Sequence, residues 1–213
     1  MSILTQKDFA NRIAAARKVA IKNKLDAIIV FSTECEPAQV RYFSDYWPSF
    51  ETAAVLIPVK GEPALIIGPE SLTYASMRTK IPNIIQIMDF RESSQPDYPG
   101  SKLPKWTDVV KRYRLRKVGL SGFYLVPYVM MVNLAKAMGG LKNVVPADDI
   151  VRPLYMQKSA AEIRCLKAAA KARGDRFDPE VVRLVMSGPV GLRDVIGDVE
   201  PPPEAMLPKP SSA

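Results

Sequence analysis

Apolar positions along the first 150 residues switch between two periods. Over residues 5 to 23, Phe9, Ile13, Ala16 and Ala20 recur at helical spacing. Thr5 with Asp8 three positions later reads as a capping box, so the spacing predicts a helix. "DAIIVFS" follows with an unbroken apolar run, the mark of a strand buried on both faces. "TAAVLIPV" and "PALIIG" predict two more strands, joined through Lys60, Gly61 and Glu62 as a short hairpin. Pro69 is expected to open a helix reaching about Arg78, because proline suits the first helical position. "NIIQIMDF" reads as a strand, and the stretch from Arg91 to Lys102, with Pro96, Pro99 and Gly100, as a loop. A helix near 103 to 113, the strand "KVGLS", a helix from about 124 to 138 ending at Gly139-Gly140, and the strand "NVVPA" complete the alternation. Such alternation predicts an α/β domain, and the internal hairpin makes its sheet mixed, with helices on both faces.

Beyond this point the pattern changes. In "DDIVRPLYMQKSAAEIRCLKAAAKAR" the pair Asp148-Asp149 is expected to start a helix, one carboxylate serving its free backbone N–H groups. Ser159 and Glu162 form a second capping box. After about Arg173 the periodicity fails, and the last fifteen residues carry five prolines. The expected organisation is a domain over residues 1–157, a linking helix over 158–173 and a divergent tail over 174–213. Residues 198–213 are expected to be disordered, since they bury too little apolar area to offset the entropy of ordering.

Composition narrows the chemistry. Of 213 residues, 47% are hydrophobic and 24% charged, as in ordinary soluble proteins. No apolar run approaches a membrane span, and the first residues lack a signal-peptide core, so a cytoplasmic protein is expected. The two cysteines, Cys35 and Cys165, lack C-x-x-C spacing and speak against a disulfide framework or a zinc knot. Cys35 lies between Glu34 and Glu36, whose charge disfavours a thiolate, and Cys165 is expected to be a packed helical thiol. There is no histidine. That removes Ser-His-Asp and Cys-His arrangements from consideration.

A net charge of +8 allows an acidic partner. Its densest source is "KWTDVVKRYRLRK", where Lys111, Arg112, Arg114 and Arg116 are a candidate basic patch for nucleic acid. The preferred reading is an amphipathic helix, because Trp106, Val109, Val110 and Tyr113 share one face and no base-reading motif accompanies them. The other dense stretch is "ECEPAQVRYFSDYWPSF", residues 34 to 50. Arg41, Tyr42, Asp45 and Trp47 follow a predicted strand end, where α/β sheets place ligand contacts, and are the candidate cleft or partner contacts. Arg41 could clamp a carboxylate and Trp47 face an apolar group. The competing reading packs Tyr42 and Phe43 in the core and pairs Arg41 with Asp45 or Glu51.

The stretches "VRYFSDY", "AAVLIPVKGEPALII" and "IVRPLYMQKSAAEI", in this order, resemble the N-terminal domain of the creatinase, prolidase and aminopeptidase P family of Xaa-Pro peptidases. Gln39 stands where the family often has Asn, and Asp45 where it often has Gly. The resemblance covers roughly residues 8 to 170 and implies a ribonuclease-H-like α/β fold. In the family that domain precedes a pita-bread catalytic domain holding two divalent metals (Mn, Co or Zn) through two Asp, one His and two Glu. No residue here can be carried over to a metal role, and no cofactor is expected in this chain.

The expected function is therefore that of a non-catalytic N-terminal domain from a truncated or frame-shifted family member, acting in homodimerisation or docking to a full-length relative. An orphaned domain would expose the apolar face that normally meets its second domain. Two alternatives stand beside this: a peptidase whose catalysis is supplied by a separate chain, and a basic nucleic-acid-binding module. No membrane partner is expected.

Overall fold

A computed structural model describes residues 4–49, 51–92 and 102–173. The tail expected over 174–213, and most of the loop expected between Arg91 and Lys102, lie outside the described residues. The chain divides into two units, one of Thr5–Gln157 and one of Met1–Leu4 with Lys158–Ala213.

The larger unit is built on six strands: β1 (Ala27–Ser32), β2 (Ala53–Pro58), β3 (Ala64–Ile67), β4 (Ile84–Gln86), β5 (Val118–Ser121) and β6 (Val144–Pro146), in the spatial order β4-β3-β2-β1-β5-β6. β1 pairs antiparallel with β2, and β2 with β3, while β1–β5, β3–β4 and β5–β6 are parallel. The sheet is mixed because a hairpin supplies β2 and β3. Gly61, at φ +100°, makes its tight link, a conformation that costs glycine no steric strain.

Strands alternate their side chains between two faces, which makes two cores. On one face Ala27, Ile29 and Phe31 of β1 pack with Trp106 and Val109 of α4 (Trp106–Tyr113) and with Met130 and Leu134 of α5 (Tyr128–Ala137). On the other, Ile28 and Val30 meet Ile13, Ala16 and Ala20 of α1 (Gln6–Lys22), together with α2 (Ala38–Ser44), α3 (Leu72–Arg78) and α6 (Asp148–Met156). All six residues of β1 and of β2 are buried, which explains why neither shows polar alternation. The capping box is present at Thr5, whose N–H donates to Asp8 Oδ2 at 2.7 Å.

Three boundaries differ from the sequence reading. α3 begins at Leu72 rather than Pro69, and α5 at Tyr128, immediately after Pro127. "NIIQIMDF" contributes only a three-residue strand, then a 3-10 turn over Met88–Phe90. In the second unit, α7 (Ala160–Arg173) starts at the expected capping box, with Ser159 N–H donating to Glu162 Oε2 at 2.7 Å. No helix among the described residues is long and apolar enough to cross a membrane.

Candidate functional site

The stretch after β1 folds as the helix α2, an element that the sequence pattern does not predict. Ser32 Oγ accepts the Val40 N–H at 3.1 Å, tying the new helix to the strand it leaves. Val40 and Phe43 point into the core. The helix stops at Asp45, whose φ of +62° is left-handed and whose N–H returns to the Arg41 carbonyl at 2.8 Å. The position where the family often carries Gly is thus one that needs a left-handed residue.

The four candidate contacts separate into two pairs. Tyr42 is a half-buried tie: its hydroxyl donates to the Leu154 carbonyl at 2.7 Å, and its own carbonyl accepts from Arg12 Nη1 at 2.6 Å. The Arg12 guanidinium also covers the Tyr42 ring at 4.2 Å. Asp45 ends the helix. Arg41 and Trp47 remain at the surface together, the guanidinium 4.8 Å from the indole centroid and Trp47 44% exposed. Arg41 is therefore paired with Trp47, where sequence reasoning had offered Asp45 or Glu51. At an exposed site such a stack contributes about 0.5–1 kcal/mol and presents a rigid, amphipathic patch.

The carboxyl ends of β1 and β5, where neighbouring parallel strands lead to opposite sides of the sheet, are the usual ligand crevice of an α/β fold. Here protein groups fill it. Ser121 Oγ donates to Gln39 Oε1 at 2.5 Å. The Asp148 carboxylate accepts from the Gly122 and Phe123 N–H groups at 2.8 and 3.3 Å. Asp148 thus caps the turn after β5 instead of its own helix, which Ala147 precedes as N-cap. A side chain on Gly122 would meet the Phe31 carbonyl oxygen at 2.5 Å, so that turn lies directly on β1.

A second polar group sits farther along the same edge, and sequence reasoning noticed it only as a possible partner for Arg41. Glu51, just before β2, is 5% exposed. Its Oε1 accepts the Gly68 N–H at 3.2 Å, while its Oε2 has no hydrogen-bond partner among the described residues. The fully buried Tyr46 hydroxyl is likewise without one. Burial pushes the Glu51 carboxyl up to about 7, with Glu70 repelling its charge and the Ser71 and Gly68 donors pulling the other way. Burial also pushes Tyr46 up to about 12. No local pattern betrays this centre, because its partners lie 17 residues away and more.

The candidate basic patch lies elsewhere. Lys111, Arg112, Arg114 and Arg116 are all exposed, while Trp106 and Val109 are buried, as an amphipathic helix requires. Arg112 reaches Asn83 Oδ1 at 3.4 Å, and Arg116 stands 3.9 Å from Asp26. Trp106, which base stacking would need on the surface, is in the core. Cys35 is exposed and free, and Cys165 is half-buried. Among the described residues no three of His, Cys, Asp and Glu are grouped so as to hold a metal ion.

Comparison with known proteins places this architecture. The family described as Creatinase/Prolidase N-terminal domain matches residues 12–156. No curated protein matches the chain. Among solved structures, the dipeptidase PepE from Mycobacterium ulcerans is 20% identical with a TM-score of 0.56, the match covering 85% of this chain and 44% of that one. The prolidase from Pyrococcus horikoshii is 17% identical with a TM-score of 0.54, covering 87% and 46% respectively. The N-terminal domain of the cytoplasmic peptidase PepQ from Mycobacterium tuberculosis is 17% identical with a TM-score of 0.50, covering 68% of this chain and 98% of that domain. The chain thus spans less than half the length of the dipeptidase and the prolidase, and the likeness is one of fold.

Proposed function

The chain belongs to the creatinase/prolidase N-terminal domain family, and on that premise we propose that its 213 residues act as a non-catalytic domain that dimerises or docks onto a Xaa-Pro peptidase-like partner. The single observation that carries the reading is the contrast along one sheet edge. The crevice at the ends of β1 and β5 is closed by Gln39, Ser121 and Asp148, while Arg41 and Trp47 stand stacked and exposed beside it. A stacked arginine and tryptophan is the composition of an interface anchor, large in area and low in entropy to immobilise. The imidazole that the family's metal centre uses is not encoded in these residues.

Light scattering tests the association. The protein is expected to self-associate at micromolar concentration, and Trp47→Ala is expected to weaken this by about tenfold or more while leaving the fold intact. A clean monomer at those concentrations, in the absence and presence of a full-length relative, contradicts the reading. The further expectation, that residues beyond 173 are a frame-shifted product, is tested by translating the coding sequence in its other frames. Helix continuation with Asp, His and Glu motifs supports it, and their absence contradicts it.

A further inference from the structure

Three connections meet at the end of the sheet where β1 and β5 begin: residues 23–26 after α1, residues 59–63 between β2 and β3, and residues 114–117 after α4. Asp26 fastens them together. Its N–H donates to the Lys117 carbonyl at 2.8 Å, and its own carbonyl accepts the Val59 N–H at 2.9 Å. Its Oδ2 accepts the Arg116 and Lys117 N–H groups at 2.8 and 2.9 Å. Lys24, Lys60, Arg112, Arg114, Arg116 and Lys117 stand exposed on or beside this knot. The acids on the same connections are Asp26 and Glu62. Asp26 already serves two N–H groups and has Arg116 at 3.9 Å, while Arg112 reaches only the neutral Asn83 amide. No hydrogen bond or ion pair among the described residues engages the side chains of Lys24, Lys60, Arg114 or Lys117. The carboxyl ends of α1 and α4 bring roughly half a negative charge each to this end, which offsets about one of these cations. The rest is surplus.

The backbone points the same way. Lys24 and Arg114 hold φ at +56° and +53°, left-handed positions just past α1 and α4 where a helix commonly carries Gly. The chain thus bears strain at two neighbouring helix ends with a lysine and an arginine in place, and outliers of this kind cluster at functional surfaces. We infer that this end of the sheet is a docking surface for an acidic segment of a partner protein, whose Asp and Glu carboxylates meet the arginines and lysines of the knot. Arginine takes a carboxylate through paired N–H donors, which fixes orientation as well as charge.

The chemistry favours a peptide over a nucleic acid. Trp106 is in the core, and the half-buried Tyr113 ring lies under the Arg112 guanidinium with its hydroxyl accepting from Asn83 at 2.8 Å. No ring is therefore offered to bases on this surface. Ile21, 60% exposed on the last turn of α1, takes the Lys24 N–H on its carbonyl and sets an apolar contact beside the cations, which side chains use and phosphates do not. The surface lies at the other end of β1 from Arg41 and Trp47, about 20 Å along the strand, so it stands or falls independently of the association proposed there.

Fluorescence anisotropy of a labelled oligo-glutamate peptide with the full-length protein tests this. Binding is expected at low salt and is expected to weaken as the screening length shortens to about 10 Å at 0.1 M. Lys24→Gly combined with Arg114→Gly removes two charges and relieves both left-handed positions. The pair is expected to keep or raise the melting temperature while lowering affinity about tenfold. Lys7→Gln combined with Lys105→Gln, at the opposite ends of α1 and α4, removes the same charge and is expected to leave affinity within about twofold. Absence of peptide binding at low salt overturns the proposal, as does an equal loss in both double variants, which would mean net charge alone. Tighter retention of a DNA oligonucleotide than of the peptide, lost in the Lys24–Arg114 pair, also overturns it and assigns the surface to nucleic acid instead.

Discussion

Tyr42 holds two distant parts of the chain with one residue. Its hydroxyl reaches Leu154 on α6 and its carbonyl takes the Arg12 guanidinium of α1, so both helices are fixed to α2 through it. Tyr42→Phe leaves the ring packing in place and strips the Leu154 carbonyl of a donor. A loss of about 1 kcal/mol is expected, read by denaturant unfolding. A much larger loss would mean that the ring rather than the hydroxyl carries the tie. The residue next to it behaves differently: Arg41, one position away, faces solvent and Trp47. Sequence placed the two in one candidate cluster because helical rotation cannot be read from a seven-residue segment without knowing that the segment is a helix.

At the scale of elements, legibility tracked burial. β1 and β2 announce themselves as unbroken apolar runs, and α1 carries both a capping box and a four-residue apolar stripe. α2 carries neither, since Pro37 at its N-cap provides no side-chain oxygen and its start is held by Ser32 across the strand end. The helix α6 does start at the Asp148-Asp149 pair, but neither carboxylate caps it, and the turn at Gly122 brings two other N–H groups to Asp148. Asp45 closes α2 in a left-handed conformation, one that costs most residues with a Cβ and costs glycine nothing. Asp45→Gly is expected to stabilise the protein by up to about 1 kcal/mol, less the entropy glycine adds to the unfolded chain. A rise in melting temperature checks this, and a clear fall would show that the Asp45 side chain contributes more than its backbone strain costs.

At the scale of the molecule, the described sheet carries a packed apolar core on each face, and its buried side-chain polar atoms without a hydrogen-bond partner among the described residues are the Tyr46 hydroxyl, Glu51 Oε2 and Trp106 Nε1. Its family and architecture were legible from three short stretches in order; the carboxyl centre was not, because Glu51, Gly68 and Phe90 meet only once β2, β3 and β4 are aligned. The basic residues Lys111, Arg112, Arg114 and Arg116 are exposed but are joined to no exposed stacking aromatic on α4. The proposed role is one of association, without hydrolysis by this chain alone, and it rests on a sequence that contains no imidazole. The most direct measurement is hydrolysis of a Xaa-Pro dipeptide by pure protein supplied with Mn²⁺ or Co²⁺. The expected rate is no greater than that of the metal solution without protein. Turnover above that blank, abolished by a chelator and restored by metal, would contradict it.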